Sequence, residues 1–506
     1  MPTIDKLVVT NQRALRAKYG ATGLKKISAA VAGMITADKA RGIVTRLVSL
    51  DSAAALRSAR ATPPKTASDW EGAVRAVDLL WEHYRPSYVL LLGADDVVPE
   101  AVIANSIPGD GDPFVPSDLP YACDLPASWT LPASERFPPS ALMNVTRAVG
   151  RLPDIVGGTD PTFVVRLLST AATWTSRGAG DYHDVFGLSA AAWEDSTRQS
   201  ITILSSPTTP LHLSPPSKTP LKPALFATAK VHFINCHGAD FTPDWFGQAK
   251  PINGHAQPVD VIALSPADID GRVPTATLVA AECCYGSMHG NPVDFDGRLP
   301  MMWAYLQSGA YACVGSSTIA YGPAAALGQA DLLCRFFLEA VSSGSSCGRA
   351  LLEARQRFIR EVANLGPDDV KTLMQFNLLG DPSIHPVRTA SPPGPVAATG
   401  PKAGLVGRRT ALRAVGQALG QTVPRASERP RRQAGMTPHE MAAASGIDVR
   451  RLSAVQTFAE ARGTPRTGTV YHAAAMERRV DSTPTGYVIV REHDGQRVAN
   501  VVWAKR

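Results

Sequence analysis

The apolar residues of the first 390 positions fall into short continuous runs separated by helical patterns. LVVT at 7–10 predicts a first strand, followed by a helix through ALRAKYG. SYVLLLGADD (87–96), SITIL (200–204), KVHFINC (230–236), TATLVAA (275–281) and AYACVGS (310–316) predict further strands. Their runs are continuous rather than alternating, as expected for strands buried on both faces of a parallel sheet. Helical patterns between them, at 324–342 and 347–363 among others, complete the alternation of an α/β fold. The pattern breaks at Ser391, where SPPGPVAATGPKAG reads as a linker. Residues 405–435 are Arg-rich, and a compact segment resumes near Met436. MTPHEMAAASGIDVRRLSAVQTF (436–458) has the spacing of a helix-turn-helix, with Gly446 in the turn. A generic helix pair is the plainer reading. TGYVIVREHDGQRVANVVW predicts a β-hairpin turning at Asp494-Gly495.

The size fits this division. At roughly 150 residues per domain, 506 residues suggest about three domains. The expected boundaries are 1–155 and 156–390 for two α/β subdomains, 391–435 for the linker and 436–506 for a small basic α+β module. No run of 18 apolar residues occurs, so no membrane span is expected. The opening MPTIDKLVVT lacks a charged-then-apolar leader. Seven cysteines do not form an even disulfide framework. Together these features predict a cytoplasmic protein. The net charge of +7 is unevenly placed. Residues 401–506 hold 18 Lys and Arg against 8 Asp and Glu, a balance of +10, which leaves −3 for the rest. The body therefore gives no electrostatic sign of nucleic acid.

Two predicted strand ends carry chemistry. His237-Gly238 directly follows one apolar strand, and Cys283-Cys284 follows the next. Groups at the carboxyl ends of adjacent parallel strands converge in one crevice. A histidine and a cysteine delivered that way can form a thiol–imidazole pair. The neighbouring glycines allow close backbone approach, and turn N–H groups can hold an oxyanion. Singly, His-Gly after a strand is usually a turn, and a cysteine there is usually a small core residue. The two together, 46 residues apart on successive strands, are far more specific. A zinc site from Cys236, His237, Cys283 and Cys284 is a weaker alternative, because adjacent ligands chelate poorly.

Several ordered blocks now resemble a known family. YVLLLGADDVVP, SDLPYACD, AVGRLP, HFINCHGAD, AAECCYGS, SGAYACVGSSTIAYGP and FNLLGDPSIHPV are similar, in that order, to blocks of the gingipain-type, caspase-like cysteine peptidases. The resemblance covers roughly residues 1–390. It implies a caspase-like parallel-sheet sandwich of two α/β subdomains and an intracellular cysteine endopeptidase acting on protein substrates. It implies His237 as general acid/base and Cys283 as nucleophile, since relatives read Cys-x-x-Gly, here Cys283-Cys284-Tyr285-Gly286. The caspases' own Cys-x-Gly spacing would select Cys284. Gly238 and the Cys283 N–H would form the oxyanion hole, with Ser317, Thr318 and Ile319 on the cleft wall. No cofactor and no metal is implied, and roles in bacterial stress or defence are. The resemblance breaks at SSPTTPLHLSPPSKTP, which lacks the acidic residue that would select a basic side chain.

Other residues are read from position. Asp240 and Glu282 flank the pair and could orient His237 or line the pocket. Asp95, Asp96 and Asp118, at strand-end loops, are expected to support the fold. An acidic or activating partner is the expectation for the tail. Tight sequence-selective DNA binding is not expected, because 436–506 carries an excess of only +3. Two rival functions stand beside the peptidase: a catalytically silent scaffold of the same fold, and a nucleic-acid-binding regulator acting through the tail.

Overall fold

The computed structural model describes residues 4–107, 110–124, 144–202, 204–205, 209–253, 255–362, 365–388, 437–445, 456–459, 470–477, 484–493 and 496–504. The linker expected at 391–435, the Asp494-Gly495 turn and the Gly446 turn lie outside them.

The strands are β1 (Lys6–Thr10), β2 (Thr45–Ser49), β3 (Tyr88–Leu92), β4 (Ala101–Ala104), β5 (Phe114–Ser117), β6 (Ala148–Leu152), β7 (Val185–Ala190) and β8 (Leu211–Ser214). There follow β9 (Val231–Asn235), β10 (Trp245–Gly247), β11 (Val261–Leu264), β12 (Leu278–Ala281), β13 (Ala312–Ser316), β14 (Tyr321–Gly322) and β15 (Phe376–Gly380). The tail supplies β16 (Gln456–Ala459), β17 (Val470–Glu477), β18 (Pro484–His493) and β19 (Gln496–Ala504).

Ten strands form one sheet in the order β2-β1-β3-β6-β15-β13-β12-β9-β7-β8. The sheet is mainly parallel, with β15 antiparallel to β13. Its central strands β9, β12, β13 and β15 are buried at every position, as their largely apolar sequences lead one to expect. The mixed α/β class expected from the sequence is therefore present, as one continuous sheet spanning both proposed subdomains.

Two expectations are corrected. The expected strand SITIL is corrected at its described residues: Ser200–Thr202 close the helix Glu194–Thr202, and β8 lies further on, inside the proline-rich stretch. The β-branched residues favour a strand locally. However, Ser196, Thr197, Ser200 and Ile201 are the buried positions, a helical stripe, and tertiary packing decides. The strand of this region is β7, which the apolar-run reading passed over because Gly187 and Ser189 interrupt it. In the tail, the helix Pro438–Ser445 is present, but Gln456–Ala459 is strand β16 rather than the end of a second helix. The hairpin strands β18 and β19 pair as expected, and β17 and β16 extend them.

Buried charges tie the chain together. Lys6 on β1 is fully buried between Asp38 and Asp381, at 2.6 and 2.7 Å. Arg151 on β6 is also fully buried. Its Nε donates to Asp118 at 2.9 Å, and its Nη1 donates to the carbonyls of Gly93 and Val98 at 2.8 and 2.6 Å. The Asp118 N–H in turn donates to the Asn377 side chain on β15 at 3.0 Å. Asp95 accepts the Glu100 N–H, and Asp96 pairs with Lys18. All three aspartates singled out in the sequence thus have structural partners.

A second acidic pair gives a pH prediction. Asp368 and Asp369 open the helix Pro367–Gln375, and Gln329 Nε2 donates to both, at 2.7 and 3.2 Å. Burial, with Asp368 alongside, pushes Asp369 up to about 8 from its ordinary 3.8. A raised acid holds its proton in the folded chain while the unfolded chain has lost it, so stability falls as pH climbs between those two values. Urea midpoints taken near pH 5 and pH 8 should decline in the parent protein. In Asp369→Asn they should stay closer to level; an equal decline in both would remove Asp369 as the cause.

Candidate functional site

Parallel pairing of β9 and β12, with Ile234 beside Ala281, brings His237 and the two cysteines to the same edge of the sheet. The ladder continues one step past the strands, because Glu282 N–H donates to Ile234 O at 2.8 Å. Gly238 makes the final approach possible. A methyl group on it would sit 1.9 Å from the Cys284 carbonyl oxygen, so only glycine brings the histidine loop this close to the cysteine loop. Gly238→Ala should cost about 1–3 kcal/mol of stability. Gly180→Ala, whose added methyl meets nothing within 4 Å, is the control. Equal urea midpoints for the two variants would refute the tight contact.

His237 is nearly buried, at 5% exposure. Its main chain bridges to Phe246 in both directions, at 2.9 and 2.8 Å, and its ring packs 4.2 Å from that of Trp193. Its Nε2 faces Gln248 Oε1 at 3.1 Å. The Gln248 amide nitrogen donates to Gln257 O at 2.7 Å, which fixes the amide with its oxygen toward the histidine. In that arrangement Nε2 donates to the amide oxygen in the tautomer whose Nδ1 is the accepting nitrogen. Gln248 is thus a partner of the imidazole that the sequence reading did not name. Asp240 stands exposed on the loop, and Glu282 is fully buried.

The two cysteines are enclosed, at 0% and 1% exposure. Cys283 lies in the electrostatic surroundings of the Tyr305 phenol, together with Cys236 and Cys313. Cys284 Sγ accepts the Ala320 N–H at 3.2 Å and donates to Ala320 O at 3.7 Å. Continuing the pairing register beyond the strand ends sets Cys283 level with Cys236 and Cys284 level with His237.

The segment 317–320, which the sequence reading expected on a cleft wall, is tied to the rest of the protein by side-chain hydrogen bonds. Ser317 Oγ donates to Pro116 O at 2.6 Å, and Thr318 Oγ1 donates to Gln375 Oε1 at 2.6 Å. Both hydroxyls are thus engaged within the protein. Asp112 joins the wall to the cysteine turn. It accepts the Tyr285 O–H at 2.7 Å, the Ile319 N–H at 2.8 Å and the Lys371 ammonium at 3.2 Å. Lys371 also reaches Asp110 at 2.5 Å and lies 5.1 Å from the Tyr321 ring centre. Tyr285 holds a positive φ of 55°, and burial beside Asp112 pushes its phenol pKa up. Beside this turn lies a small pocket walled by Thr242, Trp245, Tyr285, Gly286, Met288 and Met301. Sequence reading found neither Gln248 nor the Asp112–Lys371 link: no motif marks a glutamine 11 positions past the histidine, and nothing local marks an aspartate whose partner is 259 positions away.

Among the described residues no group of three or more His, Cys, Asp or Glu is arranged to hold a metal ion, so the zinc alternative finds no ligand cluster. Nor is any helix among them long and apolar enough to cross a membrane. The chain matches no protein-family model and no curated protein. Among solved structures it is similar to one described as "Structure of Protease", at 14% identity and a TM-score of 0.44, over 99% of this chain and 97% of that one.

Proposed function

We propose that the protein is a cysteine-dependent peptide hydrolase in which His237 and Cys283 form the reacting pair. The observation that carries this reading is the delivery of an oriented imidazole and a cysteine pair from neighbouring parallel strands to one edge, with Gly238 pressed against the cysteine backbone. In the reaction, His237 Nδ1 takes the thiol proton as sulfur bonds to the substrate carbonyl carbon. The imidazolium then gives that proton to the departing amine as the C–N bond breaks. Water then cleaves the thioester, its oxygen bonding to the acyl carbon as the C–S bond breaks and one of its protons passing through His237 to sulfur. The Gly238 and Cys283 N–H groups are assigned to the developing oxyanion.

Cys283 is preferred because the Ala320 peptide engages Cys284 as both acceptor and donor, a structural role for a neutral thiol. One observation favours Cys284, namely its register beside His237. Labelling with an iodoacetamide probe, followed by peptide mapping, separates them. Modification at Cys283 that disappears in His237→Ala supports the pair; labelling indifferent to His237 refutes it.

A further inference from the structure

The body of the protein does not stand alone at this site. Strand β14 follows Ala320 directly, and Ala320 is the residue whose peptide holds Cys284. The edge of β14 is taken by the end of the chain. Tyr321 pairs with Ala504 and Gly322 with Trp503, antiparallel, making β14 the first strand of the five-stranded sheet β14-β19-β18-β17-β16. The tail module is thus joined to the body by backbone pairing at the cleft wall. This contact spans two residue pairs, whereas β18 and β19 share eight. In the same structure both cysteines are closed off, at 0% and 1% exposure, and Tyr321 is at 1%.

We propose that the Tyr321–Gly322 edge is a docking surface for an extended peptide strand, that β19 occupies it, and that this holds the thiol site closed until an extended segment of a protein substrate displaces β19. The reasoning is chemical. An edge strand presents unpaired N–H and C=O groups to any extended backbone, irrespective of its side chains. A tethered strand of the same chain fills that edge at high effective concentration. A two-pair contact at the very end of a strand is also the part that opens most readily. The buried thiols need such an opening before any carbonyl carbon can reach them. The inference rests on the hydrolase reading only for the identity of the displacing segment.

The test uses the full chain and a variant lacking residues 503–506, which keeps most of the β18–β19 pairing. A second variant, Ala504→Pro, removes one N–H without shortening the chain. Three quantities are read: amide exchange over 319–323, iodoacetamide labelling of Cys283 and Cys284, and casein hydrolysis. Both variants should exchange faster over 319–323 and label roughly tenfold faster, as expected when a local closed state is lost. Unchanged exchange or unchanged labelling in both variants overturns the proposal. Faster exchange and labelling without hydrolysis in any form would leave the docking surface standing and remove the hydrolase reading instead.

Discussion

Cys283→Ala should abolish peptide hydrolysis, while Cys284→Ala should leave most of it. His237→Ala should lower turnover by about 10²–10⁴-fold, the range contributed by a positioned acid/base. The expectation for Cys284 follows from its sulfur being held by Ala320 N–H at 3.2 Å, a contact that shapes the wall rather than attacks a substrate. Turnover with fluorogenic peptides checks all three variants, and circular dichroism confirms that each is folded. Loss of activity in Cys284→Ala with retention in Cys283→Ala would move the nucleophile one residue along. Unchanged turnover in His237→Ala would end the dyad reading altogether.

Arg151→Met should be the most damaging single change away from the site. The guanidinium has no exposed surface, and it is held by the Asp118 carboxylate and two main-chain carbonyls. Removing it leaves Asp118 buried without its cation, which costs about 3–5 kcal/mol. Urea unfolding reads this loss. A double variant, Arg151→Met with Asp118→Asn, should recover part of it, because the stranded charge is then gone. No recovery would mean that the loss comes from the Gly93 and Val98 carbonyls.

The strands best legible in the sequence were those buried on both faces. KVHFINC, TATLVAA and AYACVGS contain β9, β12 and β13, and the apolar run alone marks them. That His237 and the cysteines follow strands adjacent in one sheet was legible for the same reason, but β10 and β11, a separate antiparallel pair, intervene in the chain and were not foreseen. β7 was not legible, because Gly187 and Ser189 dilute its run, and the buried Ser189 hydroxyl is satisfied by the Ala190 carbonyl and by Thr197 on the next helix. SITIL was misread because intrinsic propensity and packing disagree there. Gln248, Asp112 and Lys371 were invisible because each acts through a partner that only the fold brings near. In the tail, nothing in the 436–458 pattern distinguishes a helix pair from a helix followed by β16.

Lys6 has a meaning for how the protein is made. Its ammonium sits on the first strand of the sheet, yet one of the two carboxylates that surround it, Asp381, follows 375 positions later. Until then the first strand carries a cation that only Asp38 can neutralise. β15 lies in the middle of the sheet, between β6 and β13, so the earlier strands wait for it to join their two groups. The central seam of the sheet therefore closes late in synthesis. The cleft wall follows the same timetable, since Gln375 and Lys371 come from the same late stretch. A nascent chain halted before residue 380 carries His237 and both cysteines but lacks the finished frame that sets them.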